Sequence, residues 1–219
     1  MQYADAKLEL ARHAGIADDY YEHGFVGCFR PYSGIRDENF HAVVEALLSI
    51  GEVLSETPTI DRSVVESVWR ITTNSRRATT ADNGMLVRNK LITPEDRLKL
   101  RRWIRIIEDM MLDLLAGNPP HETIHAYCEY VAELGWGENA AYFVPLLSSA
   151  IEADDLGDRI QAYCAAVTRL GKRTCPVADA LLNARKRKWD WYEPQDRCAA
   201  EMRGYLDEAL AAIGDSQAH

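Results

Sequence analysis

The sequence predicts an all-α protein, and three observations carry that prediction. Apolar residues recur at intervals of three and four along nearly the whole chain, the period of a helix with one buried face. Capping and proline signals precede several of these runs. No run of alternating β-branched residues marks a strand. About eight to ten helices are expected, either as one irregular bundle or as a short N-terminal bundle joined to a small helical-hairpin array. The seam of the second arrangement falls near residue 90, giving an N-terminal portion 1–90 and a C-terminal portion 91–219.

The first clear element covers residues 37–56. Phe40, Val43, Val44, Leu47, Ile50 and Leu54 form one stripe, with Glu38, His41, Glu45, Ser49, Glu52 and Glu56 opposite. A second helix begins at Asp61, whose carboxylate can cap it, with Ile60 and Val65 spaced as a hydrophobic staple. Val65, Val68, Trp69 and Thr72 are its expected inward residues. Residues 73–93 are polar and aperiodic, and read as a loop longer than most helix connections.

The strongest start signal is Thr93-Pro94-Glu95-Asp96, an N-cap, a proline at the first helical position and two acids at the positive end of the dipole. Leu100, Trp103, Ile104, Ile107, Met110, Met111 and Leu114 then carry one face toward Gly117. Further helices are expected at about 120–134, 138–152, 157–170, 176–192 and 194–213, separated by Gly, Pro or Asp. Two of them share a pattern. Ala126-Tyr127-Cys128, Val131 and Leu134-Gly135 reappear 36 residues later as Ala162-Tyr163-Cys164, Val167 and Leu170-Gly171, which suggests two copies of a hairpin near 120–192, or a chance match between similar helices.

Composition narrows the classes of function. The 219 residues are 47% hydrophobic and 27% charged, the make-up of a globular chain and not of a disordered or disulfide-stapled one. Residues 1–15 lack the features of a signal peptide, and no apolar stretch is long enough to span a membrane. Five cysteines with no C-x-x-C pair fit free thiols in a reducing cytoplasm. The net charge of −9 disfavours nucleic acid as the main ligand. That charge is segmented. Residues 76–105 carry +6, and residues 106–158 carry −11 with no Lys or Arg at all. An acidic face on 106–158 would suit a cationic protein partner.

Three motifs bear chemistry. His121-Glu122-Thr123-Ile124-His125 matches H-E-x-x-H, in which two histidines hold zinc and Glu122 would act as the base of a hydrolase. Asn118-Pro119-Pro120 places it in the first turn of a helix, where polar residues are ordinary. Asp18-Asp19-Tyr20-Tyr21-Glu22 and Asp154-Asp155-Leu156-Gly157-Asp158 resemble the paired magnesium-diphosphate motifs of the all-α isoprenoid synthases. The first lies too near the start of the chain, and the second, containing a glycine, reads as a turn that caps the next helix. Finally, Arg30, Tyr32, Arg36 and His41 surround a Pro-Gly turn, and with Arg76, Arg77 and Arg88 they could form an anion pocket, since guanidinium forks pair with carboxylate or phosphate. The alternative is an interhelical turn whose arginines bond locally. The basic run Arg185-Lys186-Arg187-Lys188 leads into Trp189-Asp190-Trp191-Tyr192, aromatic residues expected to cover a core.

The leading expectation is a cytoplasmic, non-enzymatic interaction module of the adaptor, inhibitor or immunity type, acting through charged helical faces. The zinc hydrolase and the arginine-based anion binder stand as alternatives.

Overall fold

The structure, a computed structural model, describes residues 1–17, 22–54, 56–57, 59–80, 83–134, 140–154, 157, 159–187 and 195–214. Among these residues there are helices and no strands, the one β feature being an isolated bridge between Phe29 and Tyr32. The chain is an all-α multi-helix protein. It divides into two compact units, Met1–Pro120 and His121–His219. The seam near residue 90 therefore falls inside the first unit, because the helix that follows it packs on the helices that precede it.

The first unit opens with α1 (Tyr3–His13), a helix the sequence reading did not single out. Then come α2 (Asp37–Leu54), α3 (Arg62–Ser75), a π-helical turn (Arg76–Thr80), the single turn α4 (Met85–Arg88) and α5 (Pro94–Leu115). The two expected caps are in place: Asp61 accepts from the Ser63 N–H, and Thr93 accepts from the Asp96 N–H with Pro94 behind it. Helix α2 packs against α1 and α5, which explains why its burial wraps beyond one stripe. His41 and Ser49, expected outside, are buried, and the Ser49 hydroxyl is satisfied by donating to the Glu45 carbonyl at 3.0 Å. Phe40 stacks on Trp103 at 5.0 Å between ring centres, and Phe25 tilts against the same indole at 5.8 Å. Gly51 has no side chain where Leu114 and Pro120 approach α2, so the last turn of α5 can come close.

Helix α3 corrects the expected inward face. Val68 and Thr72 are buried, but Val65 is 39% and Trp69 69% exposed. Val64, Ser67, Ile71 and Ser75 take the inner positions instead. The buried hydroxyls donate one turn back along the helix, Ser67 to Ser63 at 2.8 Å and Ser75 to Ile71 at 2.5 Å. The expected loop 73–93 is also largely helical, since α3 continues to Ser75 and the π-turn and α4 follow.

In the second unit the expected helix 120–134 is broken at Ile124 into α6 (Pro120–Thr123) and α7 (His125–Leu134). Then follow α8 (Ala140–Ala153), α9 (Ile160–Leu170), a 3₁₀ segment (Gly171–Val177), α10 (Ala178–Lys186) and α11 (Gln195–Gly214). Helix α7 packs on α9, α8 on α10 and α9 on α11, the order of one hairpin laid on the next. Tyr127, Cys128 and Val131 of α7 and Tyr163, Cys164 and Val167 of α9 are all buried. Helix α11 occupies the place after α9 although no sequence match announced it.

Candidate functional site: an arginine-lined cleft

The first unit contains a cleft of about 370 Å³ assembled from four segments. One wall is the end of α1. Gly15, at φ +68°, closes that helix: its N–H bonds the Arg12 carbonyl, and the Ile16 N–H reaches back to Ala11. The second wall is the turn 22–33. His13, buried at the end of α1, fastens that turn twice. Its Nδ1 accepts from the Phe25 N–H at 3.1 Å, and its carbonyl accepts from the Val26 N–H at 3.1 Å. Because Nδ1 is an acceptor, the ring proton sits on Nε2 and donates to Glu9 at 3.1 Å. The turn itself is closed by Arg30 N–H to Gly27 and Ser33 N–H to Cys28.

The third wall is α3 and the π-turn. Arg70, Asn74 and Arg77 stand at i, i+4 and i+7 and all line the cleft, together with Ala78 and with Met85 of α4. A π-turn inside a helix is a rare irregularity that recurs at functional sites. Here the Thr79 hydroxyl supports it by donating to the Ser75 carbonyl at 2.5 Å. Glu66 braces Arg70, accepting from Nε at 3.0 Å and from Nη2 at 2.9 Å. The cleft thus gathers Arg30 from the turn, Arg70 from α3 and Arg77 from the π-turn around the carbon surfaces of Val26, Phe29 and Met85. Chemically it offers planar donor forks over an apolar floor, an arrangement suited to an anion.

Of the residues singled out from sequence, Arg30 and Arg77 meet in this cleft, and the others do not line it. Arg76 turns to Glu108 on α5. Arg36 lies close enough to Cys28 for its charge to act on the thiol, yet burial dominates and pushes that thiol up to about 11. Tyr32 sits near Asp96, and burial raises its hydroxyl. His41 has Asp37, Glu38 and Lys99 around it, and burial lowers its imidazole. Arg88 ends α4 in an exposed position. Arg70 and Asn74 were missed, although their spacing to Arg77 was visible in the sequence.

The remaining motifs resolve locally. His121 faces Glu122 at 4.0 Å and His125 faces Glu129 at 3.8 Å. Among the described residues no group of three His, Cys, Asp or Glu side chains could hold a metal ion. Asp154 caps the turn before α9, accepting from the Gly157 and Arg159 N–H groups at 3.1 Å each. Asp18 to Tyr21, Asp155, Leu156, Asp158 and the segment 188–194 lie outside the described residues. The acidic stretch 106–158 is divided between the two units, and Glu108, Asp109 and Glu129 each have a basic neighbour within 4 Å. Cys28, Cys128 and Cys164 are buried, and desolvation raises all three thiols, that of Cys164 to about 12, which keeps them protonated and unreactive.

No described helix is long and apolar enough to cross a membrane. Comparison of the chain with protein-family models, with characterised proteins and with solved structures finds no match. What fold and site define is a two-unit all-α chain whose first unit carries an arginine-lined cleft.

Proposed function

We propose that the protein is a binding protein for a small anionic ligand, held in the cleft of Arg30, Arg70 and Arg77. The observation that carries this reading is that three arginines, one from the turn 22–33 and two from the continuous run of α3 and its π-turn, line one concavity of about 370 Å³, within the range of small-molecule sites. Cations scattered for solubility have no reason to meet in a cleft. Asn74 adds an amide, and the carbon surface of Val26 and Met85 would exclude water from one side of a bound molecule. The test is thermal stabilisation of the full chain by a panel of small carboxylates and phosphates at low ionic strength. Stabilisation that rises with ligand concentration and disappears in Arg77→Ala supports the reading. No response to any member of the panel sinks it.

A second reading, the interaction module, is favoured by the packing of α7, α9 and α11 side by side. Helical-hairpin arrays of this kind commonly present extended surfaces to other proteins. Exposed Glu122 and Glu129 give α6 and α7 an acidic character that would suit a cationic partner. Charge reversal at both positions would abolish capture of such a partner, and unchanged capture would remove this reading. The buried free thiols support placing the protein in a reducing cytoplasm.

A further inference from the structure

We infer that the anion taken by the cleft is a phosphate monoester on a small organic stem; the inference rests on the anion-binding reading above and narrows it. The first argument concerns donors. A carboxylate has two oxygens, and a single arginine fork satisfies it. Arg30, Arg70 and Arg77 bring three guanidinium groups, each a set of five N–H donors in a rigid plane. Arg70 commits Nε and Nη2 to Glu66, which fixes its plane and leaves Nη1 outside that pair. Three guanidinium groups, one from the turn and two from the run of α3 and its π-turn, offer a separate donor set to each oxygen of a phosphate monoester, which has three terminal oxygens and close to two negative charges at neutral pH.

The second argument concerns size and lining. A volume of about 370 Å³ lies in the range of sites for small organic molecules and is more than the five heavy atoms of a bare phosphate ion require. Val26 and Met85 line the cleft with the arginines and the Asn74 amide, so apolar carbon faces the space a phosphate would leave. A bare ion would leave that surface wet, whereas an ester with an apolar stem covers it. The ligand class that fits both observations carries its phosphate toward the arginines and its hydrocarbon toward Val26 and Met85.

The experiment compares three probes on the full chain by calorimetric titration: phenyl phosphate, benzoate and inorganic phosphate. The expected result is binding of phenyl phosphate at least about tenfold tighter than either of the others, a separation of one decade in Kd. Arg77→Ala and Arg30→Ala should abolish that binding, while Arg36→Ala, outside the cleft, should leave it unchanged. All three arginines are exposed, so the variants should keep the wild-type circular dichroism and melting temperature. Benzoate binding as tightly as phenyl phosphate would overturn the phosphate assignment and leave the anion cleft standing. Inorganic phosphate binding as tightly would overturn the organic stem. Absence of binding by all three probes, with the panel of the preceding section also silent, would overturn the cleft itself.

Discussion

Arg187, one residue of a basic run that the sequence presents as a charge patch, should behave as a structural residue of the second unit. Its Nη1 donates to the carbonyls of Ile151 and Asp154 at 3.2 Å each, and its Nη2 donates to the carbonyl of Glu152. Ile151 and Glu152 belong to the last turn of α8, where carbonyls have no donor within the helix. A hydrogen bond to a charged donor contributes roughly 1.5–3 kcal/mol when buried. These bonds are partly exposed, so about 0.5–1 kcal/mol each is the appropriate scale, with about half a kcal/mol more from a cation at the helix C-terminus. Arg187→Ala should therefore destabilise the second unit by about 2–3.5 kcal/mol. Lysine keeps the charge but not the fork, so Arg187→Lys should fall between alanine and wild type. The internal control is Arg185, whose pair with Asp207 at 2.6 Å is half exposed on both sides and should contribute only about 0–1 kcal/mol. Two units need not unfold in one step, so amide hydrogen exchange within α8 and α10 is the appropriate measurement, with urea unfolding of the whole chain beside it. If Arg187→Ala and Arg185→Ala lower protection equally, or if protection at the end of α8 does not change, the capping argument is wrong.

Asp61 is held at about 2 by the Lys7 ammonium, then by the Ser63 N–H and hydroxyl, against an ordinary value of 3.8. A depressed carboxylate stabilises the fold above its unfolded value and loses that effect as pH falls through its folded one, so Asp61→Asn should lower the urea midpoint at pH 7 and converge on wild type only as pH falls below about 2. Trp69→Lys should change stability by no more than about 0.5 kcal/mol, whereas Trp103→Ala, at 1% exposure between Phe25 and Phe40, should cost about 3–5 kcal/mol; equal costs in denaturant titration would refute the assigned face of α3. His13→Leu leaves the Phe25 N–H without its acceptor and should cost about 1–3 kcal/mol, with fast exchange at the Phe25 amide as the local signature. Unchanged exchange there would show that His13 does not fasten the cleft wall.

What the sequence made legible is what local chemistry decides. The caps at Asp61 and Thr93 and the apolar face of α5 follow from residues within a few positions of one another. The misreadings share one physical cause. Ser67, Ser75 and Thr79 are buried with their hydroxyls bonded to carbonyls of their own helix, so polar residues occupy inner positions at little cost. A reading that sends apolar residues inward then rotates α3 to put Val65 and Trp69 inside, and it takes the Ser- and Thr-rich 73–80 for loop. The same rotation hid Arg70 and Asn74. Helix α11 escaped the repeat comparison for a different reason. Packing on α9 requires an apolar face of the right period, which Leu206, Ala209 and Ile213 supply without matching any residue of the earlier copies.

The charge pattern requires the same distinction between what is dense in sequence and what converges in space. The basic block 76–105 and the acid-rich segments around it look like two faces awaiting partners. In the fold, Arg76 meets Glu108, Arg105 meets Asp109, Lys99 meets Asp37, and Arg187 caps α8. Opposite charges on the same helix or on neighbouring ones find one another first, because the helical backbone and its packing already bring them within 4 Å. Linear charge density therefore predicts internal neutralisation more readily than recognition. A binding site shows itself by the opposite property, like charges gathered against their repulsion. Arg30, Arg70 and Arg77 line one cleft from two segments, and Arg70 is also braced by Glu66. An anion in that cleft would face cationic side chains from both segments.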